Sequence, residues 1–147
     1  MSYGGRLILI SSVLTSMPMF LLSFFEVPVG VRKRLDFYRS CFFWQSDEFK
    51  QKYRLAKWDI ICRTKDQGGL GIENLEVKNI CLLNKWLYKL SGETDATWAQ
   101  ILRNKYLQSR TLSQVMVRPI DSPFWKGLMR VKSAFFQRTK FIVVILL

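Results

Sequence analysis

Most of the side chains able to do chemistry in this chain are cations: 23 Lys and Arg stand against 11 Asp and Glu, with three cysteines and no histidine. Without an imidazole there is no Ser-His-Asp or Cys-His pair to activate a nucleophile. Cys41, Cys62 and Cys81 form no Cys-x-x-Cys unit, so the ligand count excludes a finger or ribbon zinc site. An odd number at irregular spacing also argues against a disulfide framework; reduced, buried thiols and an intracellular location are expected. Two-metal chemistry needs clustered carboxylates, yet the one adjacent acidic pair is Asp47-Glu48, inside a polar stretch. Gly68, Gly69 and Gly71 lack both the Gly-Lys-Ser/Thr ending of a P-loop and the spacing of a dinucleotide fingerprint. They predict a structural turn with φ > 0 or a very close backbone approach, beside Trp58 and Trp86. No catalytic residue, metal or cofactor is expected.

What remains is charge. A formal net charge of +12 favours a polyanionic partner, either nucleic acid or an anionic membrane surface. The alternative is a basic surface that only keeps an apolar chain soluble. Arg32, Lys33, Arg34 and Arg39 lie between aromatic positions, and Lys78, Lys85 and Lys89 form a second basic series. These seven residues are the candidates for phosphate contact; the competing reading makes both series solvated helix faces.

The elements that would position them are helical. A content of 49% hydrophobic residues, with 11 Phe and 5 Trp, is too apolar for a disordered tail, and 147 residues suit one domain with a modest core. Leu7 to Phe25 carries no charge and has the length of a membrane span. Its hydroxyls (Ser11, Ser12, Thr15, Ser16, Ser23) and Pro18 favour a kinked pair of core helices instead, a membrane or signal segment being the alternative. After Val27-Pro28-Val29-Gly30, Val31 to Trp44 reads as an amphipathic helix. Its inward face is predicted to be Val31, Leu35, Tyr38 and Phe42, widened by Phe37 and Phe43. Gln45 to Arg54 reads as an exposed loop with Lys50 and Lys52, and Leu55 to Cys62 as a short helix or turn placing Trp58 inward. Asn74 (or Glu73) caps a helix to Leu90 that buries Leu75, Leu82, Leu83, Trp86, Leu87 and Leu90. Thr94-Asp95 opens a helix over Ala96 to Tyr106 with Trp98, Ile101, Leu102 and Tyr106 inward. Gln108 to Ile120 is a loop. Ser122 and Pro123 start a last helix with Phe124, Trp125, Leu128, Val131 and Phe135 on one side. The run Phe141 to Leu147 is apolar and β-prone, an aggregation hazard if exposed. The fold class is mainly α: a small bundle of five or six helices with a Gly-rich turn and an irregular apolar C-terminal tail.

Several blocks occur in an informative order: Arg6-Leu-Ile-Leu-Ile-Ser-Ser-Val-Leu-Thr-Ser-Met-Pro-Met-Phe, Phe37-Tyr38, Phe43-Trp44, Lys57-Trp58-Asp59, Gly68-Gly69-Leu70-Gly71-Ile72, Asn84-Lys85-Trp86-Leu87 and Asp121-Ser122-Pro123-Phe124-Trp125-Lys126-Gly127. Together they resemble the segment downstream of the palm in plant LINE-type (non-LTR) retrotransposon reverse transcriptases, over roughly residues 2 to 136. The resemblance implies a thumb or post-palm helical region over 1–136. Trp58, Trp86, Trp125 and the three glycines would be its structural landmarks. The palm, with its Tyr-x-Asp-Asp, would lie before residue 1. It implies grip on an RNA/DNA template–primer duplex through phosphates, with a separate palm-containing reverse transcriptase as a further partner. Residues 137–147 depart from the family pattern, as a frameshift or novel stop would produce. The expected protein is a non-catalytic reverse-transcriptase fragment of the cytoplasm or nucleus, binding nucleic acid without regard to sequence, or a remnant without selected function. The rivals are a membrane-associated protein using Leu7 to Phe25 and a protein-interaction module using its aromatic surface.

Overall fold

Helix is the only regular structure in the computed structural model, which describes residues 1–44, 54–92 and 95–139. Among the described residues about 66% are helical, in seven α-helices with short π and 3₁₀ turns, and there is no strand. The acidic pair Asp47-Glu48, Lys50, Lys52, the capping residue Thr94 and the run Phe141 to Leu147 lie outside the described residues. The chain divides into two compact units, Met1–Ile80 and Cys81–Leu147.

In the first unit, the hydroxyl of Ser2 accepts from the Gly5 amide and starts α1 (Tyr3–Leu9). The backbone then widens into a π-helical turn over Ile10–Leu14, closed by the Thr15 amide on the Ile10 carbonyl at 2.8 Å. The extra residue changes the phase of the helix, so Arg6, Ile10 and Thr15 all fall inward. Pro18 interrupts the run before α2 (Met19–Phe24). The uncharged stretch is thus two short helices. Ile10, Thr15 and Leu22 are buried, whereas Ile8, Met17, Phe20 and Leu21 face outward. No helix among the described residues is long and apolar enough to cross a membrane.

The break that follows is held by a buried polar residue. The Asn79 amide group donates to the carbonyls of Leu22 (2.6 Å) and Phe25 (2.8 Å), and its oxygen accepts from the Val27 amide (3.1 Å). These bonds satisfy the exposed end of α2 and offset the cost of burying the asparagine.

Next come α3 (Val29–Trp44), α4 (Trp58–Ile61), a 3₁₀ turn at Lys65–Gln67 and α5 (Leu75–Ser91). Asn74 caps α5, its oxygen accepting from the amides of Glu76 and Val77. The glycine turn between α4 and α5 uses both properties that only glycine offers. Gly68 and Gly71 take φ of 78° and 73°, while a Cβ on Gly69 would lie 2.0 Å from the Arg63 carbonyl oxygen. The turn folds back on its own approach, with Leu70 donating to Ile61 and Gly71 to Arg63. Ile10, Phe43, Trp44, Ile61 and Ile72 form the core here, with Trp58 and Cys62 packed at its edge.

The second unit takes Leu83, Leu87 and Leu90 from the later part of α5. α6 (Thr97–Leu102) runs into another π turn, Arg103–Leu107, closed by the Gln108 amide on the Arg103 carbonyl at 2.7 Å. Tyr106 is buried as its spacing predicts, and the added residue turns Leu107 inward beside it, whereas Ile101 of the predicted stripe is 59% exposed. Ser122 caps α7 (Pro123–Arg138), accepting from the Trp125 amide, with Pro123 at the first helical position. Trp125 is fully buried, stacked on Tyr106 with ring centroids 4.3 Å apart and planes 5° from parallel. Trp86 meets Trp98 and Phe124 edge-on, at 5.1 and 5.7 Å. Lys132 donates to the carbonyls of Ser113 and Val115, pinning the preceding loop onto α7.

Gln108 ends the π turn at φ 53° and ψ −115°, a conformation that suits glycine rather than a residue with a side chain. Gln108→Gly is therefore expected to stabilise the chain by about 1 kcal/mol, relief of strain exceeding the added chain entropy. An increase in the urea midpoint at constant slope is the result to look for; a lower midpoint would mean that the side chain relieves its own strain.

Candidate nucleic-acid interface

The seven candidate cations do not form one set. Arg39 is 2% exposed and points into the first unit, so it is no surface contact. Its guanidinium donates to Asp36 Oδ1 (2.8 Å), Thr15 Oγ1 (3.0 Å) and the Glu73 carbonyl (2.8 Å), and lies 5.6 Å from the centre of a Trp58 ring. The Trp58 indole N–H donates to the same Asp36 oxygen at 3.2 Å. One arginine therefore ties α3 to the end of the π turn after α1, to α4 and to the segment that precedes α5. Arg6 plays a smaller version of this part, donating to the Phe43 carbonyl near the end of α3.

Arg32 and Lys78 are committed to carboxylates, Arg32 to Glu76 at 3.1 Å and Lys78 to Glu73 at 2.6 Å. Lys33 and Arg34 are exposed on α3, in the first unit. Lys85 and Lys89 are exposed on the part of α5 that belongs to the second unit, with Lys89 5.9 Å from the centre of a Trp86 ring.

The inward face of α3 is also not the one its apolar spacing predicts. Val31, Phe37, Tyr38 and Phe42 are exposed, and Arg39, Ser40, Phe43 and Trp44 are buried. Both stripes repeat at three and four, and the second prevails because only it brings Arg39 to its acceptors, while Phe43, part of the predicted face, stays in the core. Turning Arg39 inward turns Phe37 and Tyr38 outward, beside Lys33 and Arg34. Their rings meet edge-on at 5.7 Å, and the Arg54 guanidinium lies 5.6 Å from the Phe37 ring. A ring-and-cation face on α3 is the exposed feature whose outward position periodicity alone missed; the competing stripe at 32, 36, 39, 40 and 43 was the signal for it.

Among the described residues no three His, Cys, Asp or Glu side chains could hold a metal ion together. Asp36, Glu73, Glu76 and Asp121 are each paired with a cation. Burial pushes the Cys62 thiol up to about 11, the nearby Arg39 opposing and Asp36 and Asp59 adding to the rise, so it stays a neutral thiol around pH 7. In the second unit a recess of about 210 Å³ lies between Tyr106, Gln108, Arg110, Arg118, Asp121 and Trp125. Its buried carboxylate, Asp121, accepts from the Arg118 amide at 2.7 Å and pairs with the Arg118 guanidinium, which is a loop lock.

These features define a basic helical polypeptide whose exposed chemistry is cationic and aromatic. Two Arabidopsis thaliana proteins resemble it. Over 106 residues, 72% of the chain, it is 36% identical to the protein named "Putative ribonuclease H protein"; the matched stretch is 17% of that protein's length. Over 114 residues, 77% of the chain, it is 26% identical to one named "Uncharacterized mitochondrial protein", of which the match covers 74%. No family model and no solved structure matches the chain.

Proposed function

We propose that this chain is a retrotransposon-derived, non-catalytic fragment of a LINE-type reverse transcriptase that binds nucleic acid through its phosphates, without regard to sequence. The observation that carries this reading is the disposition of charge. Each unit presents an exposed basic pair, Lys33-Arg34 and Lys85/Lys89, while the carboxylates of Asp36, Glu73, Glu76 and Asp121 are engaged by other cations. The ordered blocks from Arg6 to Gly127 support the family, as does similarity to 17% of a longer protein named for ribonuclease H. In the intact polymerase, a palm supplied by a separate stretch of protein would hold the metal ions, and this region would grip the template–primer duplex.

The test is fluorescence anisotropy of the full chain with a labelled RNA–DNA duplex at several salt concentrations. Several engaged phosphates give a log–log slope of about −3 or steeper, with little change between sequences. Lys33→Glu and Arg34→Glu should weaken binding and flatten that slope. A flat slope for the unaltered chain, or no binding by a folded chain, would overturn the reading. A second reading rests on the outward apolar side chains of α1 and α2, Ile8, Phe20 and Leu21. They suit a protein partner such as the palm-containing part of a reverse transcriptase, and binding there would resist salt.

A further inference from the structure

We propose that α3 takes an unpaired nucleic-acid strand, with bases stacking on Phe37 and Tyr38 and phosphates held by Lys33 and Arg34; this rests on the nucleic-acid reading above and names the substrate form for that helix. The argument starts from the rotation of α3. Because Arg39 is drawn inward, the helix presents two parallel stripes, Lys33 to Phe37 and Arg34 to Tyr38, in each of which a cation precedes an aromatic ring by four residues. Four residues of α-helix advance about 6 Å, so each charge lies roughly one turn from its ring on the same side.

Phe37 is 52% and Tyr38 64% exposed, a large aromatic area for neighbouring positions on one helix. A ring in this position has little to offer a duplex, whose base faces are covered by their neighbours in the stack. An unpaired strand presents those faces, and stacking on an aromatic side chain is tolerant of sequence because every base has a π-face. The surroundings favour a polyanion over an apolar protein surface, since Lys33, Arg34 and Arg54 border the rings, with the Arg54 guanidinium 5.6 Å from Phe37. Val31 and Phe42 extend the apolar stripe at its two ends.

The experiment compares a short labelled oligouridylate with an RNA–DNA duplex, each titrated with the full chain and with its Phe37→Ala, Tyr38→Ala and double variants. Both rings are exposed, and alanine is a good helix former, so far-UV circular dichroism should be unchanged. Each substitution is expected to weaken single-strand binding about tenfold and to leave duplex binding as it was. Single-strand affinity that is indifferent to both rings would overturn the proposal. So would equal losses on duplex and single strand. Salt-dependent duplex binding together with ring-independent single-strand binding removes this proposal alone, whereas failure of the folded chain to bind either probe removes the nucleic-acid reading as well. Self-association abolished by the double variant, with single-strand binding intact, would assign the face to a protein surface and also overturn it.

Discussion

Arg39→Met is expected to destabilise the chain by about 3–5 kcal/mol, the largest effect of any replacement among the seven basic candidates. Methionine replaces much of the aliphatic volume but none of the donors. It strands the Thr15 hydroxyl and the Glu73 carbonyl, and it deprives Asp36 of the charge that faces it at 2.8 Å. Asp36 keeps partial access to water and its bond from Trp58, which places the expected loss toward the lower end of that range. Arg39→Lys should recover only part of the loss. An ammonium on a flexible stem cannot span a side-chain hydroxyl, a carboxylate and a backbone carbonyl as a planar fork does. Urea unfolding followed by tryptophan fluorescence reads both variants, and a parent-like midpoint for Arg39→Met would show that the buried arginine is dispensable. Under conditions where the variants stay folded, the salt slope of nucleic-acid binding should match the parent, because Arg39 reaches no ligand.

Gly69→Ala is expected to cost about 3 kcal/mol, although it adds a single methyl group. The added Cβ would lie 2.0 Å from the Arg63 carbonyl oxygen and 2.5 Å from its carbon. Neither atom belongs to a side chain that could swing aside. Relief requires the turn to open, and the turn is closed by the amides of Gly69, Leu70 and Gly71 on the carbonyls of Thr64, Ile61 and Arg63. Gly68→Ala supplies the internal control. Gly68 has φ of 78° but open space around the missing Cβ, so its replacement should cost only about 1 kcal/mol of backbone strain. The ordering of the two variants is the test, in the same urea experiment. Equal losses would mean that the turn yields to a Cβ at position 69 at little cost, and that close approach to Arg63 is not what the position demands.

Both replacements act on features that the sequence made legible to different degrees. The glycine cluster announced itself, since three glycines in four positions leave few physical reasons for their presence. Which glycine served a left-handed φ and which a close approach depended on the path back to Arg63. Arg39 is the opposite case. Its charge and its place among Lys33, Arg34 and aromatic neighbours mark it as a surface cation, and its buried position depends on Thr15, Trp58 and Glu73, each more than a dozen residues away along the chain.

By itself the sequence determined the local features: helices where apolar residues recur at three and four, the Asn74 and Ser122 caps, Pro123 at a helix start, Pro18 as an interruption, and the excess of positive charge. Each follows from interactions within a few residues. The tertiary structure alone decided which of two equally spaced stripes of α3 faces inward, because that choice is made by hydrogen-bond acceptors on other elements. It also decided the phase of the helices after Ile10 and Arg103. There a π turn adds one residue, burying Thr15 in one case and Leu107 beside Tyr106 in the other. Local propensity carries no sign of that extra residue; packing selects it. The exposed rings of the candidate site, Phe37 and Tyr38, are the outward consequence of burying Arg39.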